Sequence, residues 1–131
     1  MQYGPVPDFP IKGKIVAITG GGSGIGFALA RKCHENGARV IVGDLKLVAE
    51  AEQYVSKANP AEICFQHCDV TSWKSLHDLI SASVKMLGDV PDVYVPSAGV
   101  RSYTGLGSFE LEMIIRLIGV RATLEQFLGR Q

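Results

Sequence analysis

The sequence lacks several features that would place it in a specialised class of protein. No stretch approaches the roughly 18 to 20 consecutive apolar residues that a membrane-spanning helix needs. Lys plus Arg and Asp plus Glu both number 13, so there is no net charge and no sign of the strongly basic surface of a dedicated nucleic-acid-binding protein. We therefore expect neither a membrane nor a nucleic acid as a partner.

Cysteine is scarce, with only Cys33, Cys64 and Cys68 in the whole chain. An odd number of cysteines without a Cys-x-x-Cys pair is typical of free thiols in a reducing compartment, so we expect a cytoplasmic protein. Cys64 and Cys68 flank His67, but three candidate ligands without a fourth favour core thiols and a surface imidazole over a metal site.

The chain of 131 residues, 47% apolar and 20% charged, has the length and composition of one globular domain. Residues 1–14 contain three prolines and no apolar core, which predicts an ordered arm and not a signal peptide. Residues 15–100 alternate between short apolar runs and segments with helical periodicity, and residues 101–131 contain no lysine. We divide the chain into the arm, an α/β unit over 15–100 and a divergent helical tail over 101–131.

Four short runs of apolar and β-branched residues predict buried strands at 15–19, 40–44, 62–67 and 92–95. Between them, helical periodicity predicts three helices. We expect the apolar face of the first to carry Ile25, Ala28, Leu29 and Cys33, and that of the third to carry Trp73, Leu76, Ile80, Val84 and Leu87. His34 and His77 are expected to be solvated.

Because the connections are only a few residues long, the strands must be parallel and the crossovers right-handed. We expect the strand order three, two, one, four. The sequence thus predicts a Rossmann-like, doubly wound α/β sheet that is incomplete, with about four strands and a C-terminal helix interrupted near Gly119. That tail helix either packs on the sheet or binds a partner.

A glycine cluster follows the first predicted strand and opens the first predicted helix, at residues 19–26. Glycines let the backbone turn tightly and approach a pyrophosphate, while the free N–H groups and dipole of the helix N-terminus favour its negative charge. The alternative is a flexible turn. The candidate phosphate-binding residues are Thr19, Gly20, Gly22, Ser23, Gly24, Ile25 and Gly26.

Acidic residues end the next two predicted strands. Asp44 lies eighteen positions after Gly26, where a carboxylate can accept hydrogen bonds from ribose hydroxyls and repel a 2′-phosphate, which favours NAD over NADP. The alternative is an aspartate that caps the next helix, and Lys46 complicates the choice of cofactor. Asp69 and Val70 either contact an adenine ring or simply begin the turn into the third helix.

The glycine segment, Asp44, Asp69 with Val70, and Ala98 with Gly99 after the fourth strand together resemble the short-chain dehydrogenase/reductase family over residues 12–100. The resemblance implies an oxidoreductase that interconverts a small alcohol and a ketone with a nicotinamide cofactor, NAD or else NADP. It also implies that the glycine segment holds the phosphates, that Asp44 selects NAD, that Asp69 and Val70 contact the adenine, and that Ala98 and Gly99 flank the cofactor.

The sequence departs from the family pattern in two places. Ser97 stands where the family has Asn, and its hydroxyl can make only one of the hydrogen bonds of that amide. The family's catalytic Tyr-x-x-x-Lys is absent: no tyrosine has a lysine four positions on, and Lys85 is the last lysine. We therefore assign no catalytic residue and expect a chain truncated before the motif.

The absence of that motif keeps a second hypothesis open, a non-catalytic nucleotide-binding remnant or a regulatory or interaction fragment. The predicted strand order also leaves the fourth strand at an open edge of the sheet. An open apolar edge favours pairing with another chain. Self-association through this edge is therefore expected.

Overall fold

The computed structural model describes residues 10–98, in which strands and helices alternate as predicted. The elements in chain order are β1 (Ile15–Thr19), α1 (Gly24–Glu35), β2 (Arg39–Asp44), α2 (Ala49–Lys57), β3 (Ile63–His67), α3 (Trp73–Leu87) and β4 (Val93–Pro96). The tail over 101–131, Gly99 and most of the N-terminal arm lie outside the described residues. Among residues 10–98, none of the helices combines the length and the apolar character that crossing a bilayer requires.

The four strands form one parallel sheet in the order β3-β2-β1-β4, which confirms the predicted fold class and strand order. At the carboxyl end of β1, Thr19 pairs with Gly43 on one side and with Pro96 on the other. Asp44 pairs with His67 one strand further out. The loops that leave the strands therefore emerge side by side along one edge of the sheet.

Alternate residues of the strands bury their side chains on opposite faces of the sheet. On one face, Ile15, Ala17 and Ile41 pack with Leu76 and Ile80 of α3. On the other face, a second cluster joins the strands to α1; it contains Val16, Ile18, Val40, Val42, Ile63, Ala30 and Cys33. Helices thus cover both faces, which is why these strands read as continuous apolar runs.

The predicted apolar face of α1 is wrong in three of its four positions. Ile25 is 87% exposed, Ala28 and Leu29 are also exposed, and only Cys33 is buried. The helix instead packs through Gly26, Phe27, Ala30 and Cys33. Close approach decides the orientation, because a Cβ on Gly26 would overlap the carbonyl oxygen of Gly20. Small residues therefore share the buried side of the helix with Phe27, and Ile25 is left on the exposed side.

The structure also corrects the prediction for α3. Trp73, the first residue of the helix, is 53% exposed, whereas Leu79 is buried. Ser72 caps the helix by accepting a hydrogen bond from Ser75 N–H at 3.2 Å. Gly88 ends it in the left-handed conformation, with φ 92°.

His34 is not solvated as expected; its side chain is only 17% exposed. Its Nδ1 lies 2.6 Å from the hydroxyl of Tyr54, and its Nε2 lies 3.1 Å from a carboxylate oxygen of Glu62. The imidazole thus ties α1 to α2 and to the start of β3, contacts between distant residues that helical periodicity does not predict. His77 is exposed, as expected.

Candidate functional site

A cleft of about 540 Å³ lies at the carboxyl edge of the sheet, where the loops after all four strands meet. Nine predicted site residues line it: Gly20, Ser23, Gly24, Ile25, Gly26, Asp44, Asp69, Val70 and Ala98. Leu45, Cys68 and Ser97 complete the lining and were not predicted as site residues. Each of the three directly adjoins a predicted residue in the sequence, which is the signal that could have identified them.

The glycine segment forms a tight turn that delivers the start of α1 to the cleft. Gly20 has φ +72°, and a Cβ there would lie 2.5 Å from the backbone nitrogen of Ala98, so only glycine allows β1 and β4 to approach this closely. Gly24 has φ +54°, and no heavy atom lies within 4 Å of the position a Cβ would take. The turn is therefore closed on its β4 side and open at the start of the helix.

The N-terminus of α1 is suited to an anion. Ser23 precedes the helix but makes no side-chain capping hydrogen bond, and no acidic residue occupies the first turn. The first N–H groups of a helix have no partner within it, and together with the dipole they favour negative charge. This end of the cleft can therefore accept a phosphate group.

The carboxylate of Asp44 is held in place by two backbone donors. Gly22 N–H donates to Oδ2 at 2.9 Å, and Leu45 N–H donates to Oδ1 at 2.7 Å. Asp44 does not cap α2, whose N-cap residue is Val48, so the capping alternative is wrong. Each carboxylate oxygen can accept more than one hydrogen bond, so the half-buried group can still bind hydroxyls.

Two predicted residues lie behind the wall of the cleft and do not line it. Thr19 is 1% exposed at the end of β1, and its carbonyl oxygen accepts hydrogen bonds from Ser97 N–H at 3.0 Å and from Ser97 Oγ at 2.6 Å. Ser97 thus joins the end of β4 to the base of the glycine turn. Gly22 is buried behind Asp44. Gly99 lies outside the described residues.

Asp69 begins the turn into α3 and also lines the cleft. Its Oδ1 accepts hydrogen bonds from Thr71 N–H at 2.9 Å and from Thr71 Oγ1 at 2.6 Å, and these bonds lower the pKa of the carboxyl. Ser72 N–H donates to its carbonyl oxygen at 3.0 Å. Val70 is buried in the core beside α3 while its remaining surface faces the cleft.

All three cysteines are buried and unpaired. Burial raises the pKa of the Cys64 and Cys68 thiols from 9.0 to about 11, so both stay protonated at neutral pH. Cys68 donates weakly to the carbonyl of Ser75, with Sγ 3.8 Å from the oxygen. Within residues 10–98, no His, Cys, Asp and Glu side chains group in a way that could hold a metal ion. Cys68 therefore contributes a largely apolar surface to the cleft.

Comparison with known proteins gives matches over most of the chain. A family model described as short chain dehydrogenase matches residues 14–123. NADP-dependent dehydrogenase clz5 of Cochliobolus lunatus is 40% identical over 93 residues, which are 71% of this chain and 32% of that protein. Tropinone reductase-like 1 of Erythroxylum coca is 33% identical over 100 residues, 76% of this chain and 36% of that protein.

Among solved structures, a hydroxysteroid dehydrogenase from Escherichia coli superposes with a TM-score of 0.67 at 27% identity. The match covers 86% of this chain and 52% of that one. The chain thus spans about a third of the length of the two relatives above and about half of this structure. The similarity extends over most of this chain but over only part of each of these proteins.

Proposed function

Because the chain belongs to the short-chain dehydrogenase family, we propose that its cleft binds a nicotinamide dinucleotide as the cofactor-binding part of an oxidoreductase. One observation carries the proposal: the cleft joins an uncapped helix N-terminus, at Gly24, to the anchored carboxylate of Asp44 on the neighbouring strand. A dinucleotide offers a phosphate to such a helix end and a pair of ribose hydroxyls to such a carboxylate, and parallel α/β sheets bind such ligands at this edge.

In this proposal residues 15–100 form the dinucleotide-binding unit. The turn from Gly20 to the start of α1 would hold the pyrophosphate through the N–H groups of the first helical turn, which contains no acidic side chain. Asp69 and Val70 would contact the adenine, and Ala98 with Gly99 would flank the cofactor. The bound nicotinamide supplies hydride transfer, and a small alcohol or ketone is the substrate class that we propose.

We propose that NAD is preferred over NADP. The Asp44 carboxylate can accept hydrogen bonds from ribose hydroxyls, and its negative charge opposes a 2′-phosphate. Similarity does not decide the cofactor, since one of the relatives is named as NADP-dependent. The preference therefore depends on the position and charge of this one side chain.

Calorimetric titration with NADH and NADPH tests both parts of the proposal. We expect NADH to bind more tightly, and we expect Asp44→Ala to weaken NADH binding by roughly tenfold or more, because hydrogen bonds to a charged group are lost. Asp78→Ala is the matched control, since Asp78 lies on α3, pairs with Lys74 at 2.8 Å and does not line the cleft. Absence of binding by either cofactor would refute the proposed function, and equal or tighter binding of NADPH would refute the role of Asp44.

The unpaired state of the three cysteines supports a reducing, cytoplasmic location. Disulfides form and persist mainly in oxidising compartments, and these thiols are enclosed in the core. Cell fractionation of the tagged protein tests this part, and recovery with a secreted or periplasmic fraction would contradict it.

A further inference from the structure

We propose that Gly22 is a positioning residue that sets the cofactor preference of the cleft through Asp44, without contacting the cofactor itself. The inference rests on the proposed function, since it concerns the choice between NAD and NADP at the same cleft. Gly22 is buried and is not among the residues that line the cleft. Its backbone and its missing side chain determine where the Asp44 carboxylate lies.

Gly22 makes a hydrogen bond in each direction to the chain around the end of β2. Its N–H donates to Asp44 Oδ2 at 2.9 Å, and its carbonyl oxygen accepts from Val48 N–H at 2.9 Å. Together these bonds fasten the β2–α2 connection, residues 45–48, to the glycine turn. The part of the chain that would bind phosphate and the part that would bind ribose are thus joined at one residue.

The absence of a side chain at Gly22 matters as much as its hydrogen bonds. A Cβ there would overlap the carbonyl oxygen of Lys46 and lie 2.8 Å from Asp44 Oδ2. Gly22 does not have a positive φ, so the backbone itself would accept an alanine. The residue is therefore required for space: only a hydrogen atom lets the β2–α2 connection lie against the turn and keep the carboxylate in its place.

Gly22→Ala should therefore displace the β2–α2 connection and release Asp44. We expect NADH affinity to fall by about tenfold more than NADPH affinity, the effect of losing one hydrogen bond to a charged group, so that the preference narrows. Gly21→Ala is the matched control. Gly21 also lacks a positive φ, but a Cβ there would meet Val42 and the Ile18 carbonyl oxygen and not the β2–α2 connection. Gly21→Ala should change the affinities for NADH and for NADPH by the same factor.

A second measurement needs no cofactor. Amide hydrogen exchange by NMR should show Leu45 and Val48, the donors to Asp44 Oδ1 and to Gly22, exchanging about tenfold faster in Gly22→Ala than in the wild type or in Gly21→Ala. This arm separates the two proposals: a wild type that binds neither cofactor refutes the proposed function, while exchange still decides whether Gly22 positions Asp44. Unchanged exchange in Gly22→Ala, or an unchanged ratio of the two affinities, would overturn the inference.

A second variant covers the case in which Gly22→Ala does not fold. Val48→Pro removes the N–H that donates to Gly22, and the φ of −69° at Val48 already suits proline. We expect faster exchange at Leu45 and a narrower preference for NADH here too. If Val48→Pro leaves both at wild-type values, Gly22 does not hold the connection and the inference is wrong.

Discussion

The buried thiols of Cys64 and Cys68, which pack in the same core cluster as α3, should make the protein less stable at alkaline pH. Burial raises the pKa of Cys64 and Cys68 from 9.0 to about 11, and for Cys68 the negative charges of Asp69, Asp44 and Asp78 add to the effect. Below pH 9 both the folded and the unfolded chain keep these thiols protonated. Between pH 9 and 11 only the unfolded chain releases the protons, so rising pH favours unfolding.

The loss of stability can be calculated from the difference between the thiol pKa in the folded chain and in the unfolded chain. With the pKa of each thiol raised from 9.0 to about 11, each lowers the free energy of unfolding at pH 10 by about 1 to 2 kcal/mol, and the pair lowers it by about 3 kcal/mol. Many single domains have a stability of only about 5 to 15 kcal/mol, so this loss is a large fraction of the total.

Urea unfolding at pH 7 and pH 10, with a reducing agent present, measures the effect. Other side chains also lose protons in alkaline solution, so the double variant Cys64→Ala, Cys68→Ala is the control that isolates the thiols. The variant should be less stable at pH 7, because it loses buried volume, but its stability should fall by about 3 kcal/mol less between the two pH values. An equal fall in both proteins would refute the reasoning.

Three further predictions concern packing and assembly. Gly26→Ala would force a Cβ onto the Gly20 carbonyl and within 2.6 Å of Ser97 Oγ, which should lower the free energy of unfolding by about 1 to 3 kcal/mol. The melting temperature measured by circular dichroism should then fall by several degrees, and an unchanged melting temperature would contradict the packing of α1. Tyr54→Phe removes the hydroxyl 2.6 Å from His34 Nδ1 and should lower the free energy of unfolding, measured in urea, by about 1 to 3 kcal/mol. An unchanged free energy of unfolding would show that this hydrogen bond does not form in solution. Within residues 10–98, β4 pairs with β1 on one side and has no strand on the other, so we expect the protein to self-associate at micromolar concentration. Light scattering after size exclusion measures this, and a monodisperse monomer across a dilution series would contradict the expected self-association.

The strands could be predicted to within one or two residues because a parallel strand covered on both faces needs an unbroken apolar run. The orientation of α1 could not. Ile25 and Phe27 are both large and apolar, and the choice between their faces depends on how closely Gly26 and Ala30 let the helix approach the sheet. Hydrophobic periodicity measures transfer from water and is insensitive to such a contact.

Most of the cleft could be predicted because parallel strands present their carboxyl ends together, which brings residues as far apart as Gly20 and Ala98 into one place. The predicted list still mixed lining residues with supporting ones. Thr19 and Gly22 belong to the glycine segment but hold Ser97 and Asp44 in position from behind. Their roles depend on backbone hydrogen bonds between distant segments, which a one-dimensional pattern does not contain.

The parallel order of the sheet also has a consequence for how the protein folds. The cleft takes one wall from the end of each strand, and β4 reaches its place beside β1 only after the chain has closed a loop of more than seventy residues. Such non-local pairing is slow, because the entropy of loop closure is lost before the contacts form. A ligand that requires all four walls would therefore bind only the fully assembled sheet and would draw folding intermediates forward by mass action. Recovery of ligand binding during refolding should then follow the docking of β4 against β1, and the formation of α1 and the glycine turn should not suffice for it.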